Sequence, residues 1–215
     1  MDFVPSLPTL LTFAAACMLL TLTPGPDMTL QIGRALKEGR SSAFMVLLGT
    51  NIGLVIHTVL VAFGISALIV ASPAAFFVLK TGGAAYLLWL AFHAIRKGSN
   101  FVMAAEAGVE RRGSHMEALL NGFWVNLLNP KVIIFFMTFL PQFVQASDPH
   151  VTGKLLFLGF YFIALALPVT IAIILAAGWL SGWLMANRRV LRWIDYTFAG
   201  VFSIFAVKIF FTHAR

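Results

Sequence analysis

Thirty-nine consecutive residues, Ser41 to Leu79, contain no Asp, Glu, Lys or Arg. A run of this length has no charged face to turn toward water. A membrane-spanning helix needs about 20 largely apolar residues, so the stretch is too long for one span. Ser72-Pro73 divides it, because proline cannot continue a helix hydrogen-bond ladder. The reading is one helix over 41–70 and another over 74–95. Composition agrees: 60% of the 215 residues are hydrophobic and 11% are charged, against about 25% charge in soluble domains.

Four further apolar runs complete an all-α integral membrane protein of six transmembrane helices. The first covers Leu7 to Gly33, with Asp27 as its one charge. No Lys or Arg precedes Arg34, so this run lacks the basic start of a signal peptide and reads as a retained helix. The fourth helix runs from Ala118 to Pro141, the fifth from near Leu155 to Asn187, and the last from Leu191 to Phe211. The single Cys17 leaves no internal disulfide and reads as a small packing residue.

Charge placement orients the spans. Ten of the 15 basic residues fall in alternate loops. Arg34, Lys37 and Arg40 follow the first helix; Arg96, Lys97, Arg111 and Arg112 follow the third; Arg188, Arg189 and Arg192 follow the fifth. Cytoplasmic loops are the Lys- and Arg-rich ones, so both termini face outward. The net charge of +7 is therefore an orientation signal, and no nucleic-acid partner is implied, since no soluble basic domain is present. The chain reads as a single transmembrane domain. Residues 1–95 form one three-helix half, 96–117 a cytoplasmic connector, and 118–215 a second half that enters from the opposite side. That is the geometry of two inverted repeats.

Each half opens with an interrupted helix. The first contains Thr23-Pro24-Gly25-Pro26-Asp27 and the fourth Asn126-Leu127-Leu128-Asn129-Pro130-Lys131. Freed backbone groups persist in a membrane only where protein or a polar cavity satisfies them, and paired breaks point to a transport site. Two plain kinks are the alternative. Asp27 lies roughly 10 Å of helix ahead of Arg34. It could hold a substrate ammonium, carry a proton, or cap the helix restarting at Pro26. Lys131 could pair with Asp27, bind a substrate carboxylate, or tie the halves together as a structural ion pair. Lys80 and Lys208 are expected to snorkel outward. His57 is a candidate proton relay or a histidine satisfied by a carbonyl. Thr50 and Asn51 could line a path opposite Asn126 and Asn129. Gly49, Gly53, Gly82 and Gly83 are expected at close helix contacts, and Pro168 is expected to kink the fifth helix.

Three stretches carry a family resemblance: LTPGPDMTLQIGRALKEGRSSAFMVLLGTNIG at 22–53, KTGGAAYLLWLAFHAIRKG at 80–98 and GFWVNLLNPKVIIFFMTFLPQFV at 122–144. Together they resemble the lysine-exporter (LysE/RhtB) family, over essentially the whole chain. The resemblance implies efflux of a small amino acid or derivative across a bacterial inner membrane, coupled to protons, with no cofactor. It points to Pro24, Gly25, Pro26, Gly49, Gly53, Asn129, Pro130 and Lys131. Asp27 stands where many relatives have Asn. A homodimer is compatible with so small a transporter.

Other classes fit less well. The five His residues show no metal-ligand spacing, and no GxSxG, HExxH or P-loop pattern occurs. Asn129-Pro130 resembles half of an aquaporin motif, but only one copy is present and Lys131 follows it. A channel for another small polar solute or a non-transporting scaffold are the remaining alternatives. The scaffold gives Asp27 and Lys131 no use.

Overall fold

A computed structural model describes residues 4–72, 113–145 and 147–187, with scattered positions in 74–92 and 189–204. Among the described residues the chain is helical and contains no strand. Its elements are α1 (Leu7–Leu22), α2 (Pro26–Lys37), α3 (Arg40–Ala71), α4 (His115–Leu127), α5 (Pro130–Ile134), α6 (Val151–Leu175) and α7 (Ala177–Ala186). A π-helical turn, Phe135–Phe139, and a 3₁₀ turn, Leu140–Phe143, extend α5.

Two helices, α3 and α6, are long and apolar enough to cross a membrane alone. Two bent pairs are long and apolar enough if each is taken as one broken span: α1 with α2, at 51°, and α4 with the segment from Pro130 to Phe143, at 49°. Only 28% of the most apolar window of α6 is buried within the protein, and Leu7, Leu60, Phe63 and Leu175 are exposed. A helix apolar on all sides with little of it covered belongs in lipid. This is an integral membrane protein.

Helix ends follow local chemistry. Ser114 caps α4, its hydroxyl accepting from the Glu117 N–H at 3.1 Å. Gly39, with φ of +95°, makes the left-handed turn between α2 and α3 that a side chain would strain. Along α1, Phe13, Ala16, Cys17 and Leu20 form the buried stripe. Phe13 meets Phe143 at 5.1 Å between ring centroids, and Phe135 meets Phe162 of α6 at 5.5 Å. The aromatic segment after α5 is thus the centre of the main core.

Helices α3 and α6 run antiparallel. Thr152 Oγ1 donates to Ser66 Oγ at 2.7 Å at one end, and Arg40 donates to the Leu175 carbonyl at 2.9 Å at the other. Asp148 lies beside the first end. The Lys154 ammonium, with the His150 N–H, holds its carboxyl below the usual range.

Several expectations need correction. Arg34 and Lys37 are not in a loop: α2 continues through both, and Arg40 begins α3. Arg34 is 3% exposed, bonded to Glu38 and reaching Glu117 of α4 at 3.4 Å. Its charge is spent within the protein and is not a free loop charge. Pro168 lies inside α6, and a break not expected from the sequence falls at Ala176. The fifth helix begins at Val151, ahead of Leu155, because the His150 carbonyl already accepts the Lys154 N–H. Gly82 meets no described atom within 4 Å, and most of its helix lies outside the described residues. Gly83, Lys80 and Lys208 lie outside the described residues. The described positions of the third and sixth predicted helices are helical.

Candidate functional site

The two breaks share one construction. Gly25 is the N-cap of α2 with Pro26 at the first helical position. Asn129 is the N-cap of α5 with Pro130 in the same place. Proline suits this position because the first N–H of a helix has no intrahelical partner. The Asn129 side chain accepts the Lys131 N–H at 3.0 Å, whereas Gly25 has no side chain to cap with. Asp27 does not supply that cap either; it stands in the first turn of α2 and makes no capping bond. The capping role weighed for it is not the one it takes.

Asp27 Oδ2 instead accepts from Asn126 Nδ2 at 2.9 Å, across the two halves. Its Oδ1 is buried without a hydrogen-bond partner, as is Asn126 Oδ1. Lys131 Nζ donates to the carbonyls of Leu20, at 2.8 Å, and Thr23, at 2.7 Å. The Asp27 and Lys131 charges act on each other through the space between them.

That space is a cavity of about 80 Å³. Gly25, Asp27, Thr50, Asn51, Asn126, Asn129 and Lys131 line it, so the structure brings together seven of the residues singled out in the sequence. Thr50 and Asn51 donate to carbonyls of their own helix, Val46 at 2.9 Å and Leu47 at 2.7 Å, leaving acceptor oxygens for the cavity. His57 is buried but does not line it. Its ring lies 5.7 Å from Phe136, and its Nε2 has no partner. Pro24, Pro26 and Pro130 set the breaks without lining the space.

Close contact between α3 and α4 holds one wall. A Cβ on Gly49 would lie 2.0 Å from the Leu119 carbonyl oxygen, and one on Gly122 would lie 2.2 Å from that of Val46. A Cβ on Gly53 would strike Asn126 Oδ1 at 2.6 Å. These glycines set the depth at which Asn126 meets Asp27.

Sequence reading missed Gln31, Thr170 and Arg34. Gln31 lies one helical turn after Asp27 on the same face. It is 2% exposed and lines the cavity. The i, i+4 spacing from Asp27 was the available signal. Among the described residues no cluster of three or more His, Cys, Asp or Glu side chains could hold a metal.

A carboxylate, an ammonium and amides around one small space between two broken helices suit a polar solute. Residues 9–212 match the LysE type translocator family. The chain belongs to that family. As a LysE type translocator it is a transporter and not an enzyme. It is 29% identical over 186 residues to a homoserine/homoserine lactone efflux protein of Salmonella typhimurium, covering 86% of this chain and 88% of the relative. It is 32% identical over 140 residues to an uncharacterized membrane protein of Vibrio cholerae, covering 65% and 67%. No solved structure matches this translocator.

Proposed function

We propose that this translocator exports small amino acids or close derivatives, of the homoserine, threonine or leucine kind, across the bacterial inner membrane. The observation that carries the reading is the convergence of both helix breaks on one cavity holding Asp27 and Lys131. Buried charge is costly in a membrane and is retained where solutes or ions pass. Homoserine and homoserine lactone efflux by the Salmonella relative supports the substrate class.

In this reading Asp27 Oδ1 receives the substrate ammonium. Gln31, which lines the same cavity, offers an N–H to the substrate carboxylate. The cavity has room for several waters at about 10–15 Å³ each, so a hydrated polar solute can be accommodated between the breaks. Six spans, with both termini outside and two inverted three-helix halves, complete the proposal. The shared proline construction of the two breaks and their near-equal bends of 51° and 49° support the halves. The halves rock about the cavity to give alternating access, and protons drive export through Asp27 or His57.

Inverted membrane vesicles turn export into accumulation. With a panel of radiolabelled amino acids, accumulation that collapses with an uncoupler is the expected result. No accumulation of any amino acid, in vesicles holding folded protein, would overturn the reading.

A further inference from the structure

We infer that Lys131 is a tethered cation, filling a monovalent-cation site formed by the broken end of α1, and that it does not serve as the substrate's carboxylate ligand. This goes beyond the transport reading and stands on separate contacts.

The site follows from the sequence of the first break. In an unbroken helix the Leu20 carbonyl would accept the N–H of residue 24, but that residue is Pro24, which has none. The Thr23 carbonyl would accept from Asp27, but Thr23 leaves the helix with ψ of 119°. Two carbonyls at the negative end of α1 are thus orphaned inside the protein, where each needs a donor. Unwound carbonyls of this kind coordinate a sodium ion or a proton carrier in other broken-helix transporters. Here the ammonium of Lys131 takes both, at 2.8 and 2.7 Å.

The second break aims that ammonium. Asn129 accepts the backbone N–H of Lys131 and fixes the start of α5. Gly25 closes over the stem: a Cβ there would lie 3.6 Å from Nζ and 3.7 Å from Cδ. Asp27 completes the electrostatic surroundings. The charge therefore arrives on a side chain of the opposite half, and the first break needs no dissolved cation to be stable.

Purified Lys131→Ala protein tests this without any transport assay. Removing the side chain should lower the melting temperature. Ethylammonium chloride should restore at least half of the loss in a saturable way, while choline chloride of equal ionic strength should not, and wild type should respond to neither. Lys131→Met, which keeps length without charge, should melt low and gain nothing. Restoration by choline alike, no restoration, or a Met variant as stable as wild type would each overturn the inference. Should the Ala variant fail to accumulate, Lys131→Arg and Lys131→Met are compared in membranes. Folded Arg variant without folded Met variant supports the tethered cation, and equal accumulation refutes it. Loss of the amino-acid transport reading would leave these outcomes unchanged.

Discussion

The two helix breaks differ in how they satisfy themselves. Both place proline at the first helical position, and both bend by about 50°. The second carries its own cap: Asn129 caps its own helix, and the aromatic segment beyond it is buried in the main core. The first is incomplete. Its cap is a glycine, its last α1 carbonyls are bonded by Lys131, and its carboxylate by Asn126. The donors to its carboxylate and to its Leu20 and Thr23 carbonyls come from the second break. A self-sufficient break is a fixed point; one completed from outside is coupled to whatever moves the other half.

The largest effect should come from the wall that positions Asn126. Gly49→Leu drives a side chain into the Leu119 carbonyl, a contact of 2.0 Å from the first carbon onward. Backbone must separate, and folded protein in membranes should fall to trace levels by fluorescence size-exclusion. Near-normal accumulation would show that the α3–α4 contact does not anchor the second break.

Next comes the ion cluster that ties α2, which follows the first break, to α4, which precedes the second. Arg34 and Glu38 are both nearly inaccessible, with Glu117 more exposed. Arg34→Met leaves Glu38 buried without its partner, at a cost of about 3–5 kcal/mol. A thermal melt should show it as a clear loss. The same cluster predicts an acid limb. Burial alone would raise the Glu38 carboxyl, but hydrogen bonds from Arg34 and Ser42 outweigh it and hold it below the usual range. A depressed folded value means the stabilisation is present above the ordinary carboxylate range, near pH 4, and is lost as pH falls through the lowered value. Melts against pH should show that loss, and Glu38→Gln should flatten it.

Smaller effects separate the two caps. Asn129→Ala removes a side-chain cap and should cost about 1 kcal/mol. Gly25→Ala should cost only a few tenths, because its φ of −152° suits any residue and the added carbon meets only ordinary contacts. Equal losses would erase the contrast between the breaks.

Much of this was legible in the sequence. Apolar runs located the two long helices α3 and α6 and the two bent pairs, and proline with an ionisable residue marked both breaks. Gly49 and Gly53 stood out by spacing. Other features depend on residues distant in the chain. Arg34 looks like a loop charge until Glu117, 83 residues away, is placed beside it. Lys131 looks like a substrate or ion-pair group until its acceptors are known to be backbone oxygens, which no residue pattern displays. The interruption at Ala176 lies in an Ala- and Ile-rich run whose one breaker is Gly178, two residues on, while Pro168 lies within α6. Gln31 was the recoverable miss, visible as the next polar position on the Asp27 face.

The central claim is that the crossing of the two breaks is the transport site. Uptake by inverted vesicles carrying Asp27→Ala, matched to wild type for folded protein, tests it most directly. The account predicts that gradient-driven accumulation disappears while the protein remains inserted and folded. Accumulation at the wild-type rate would contradict it and move the site elsewhere in the molecule.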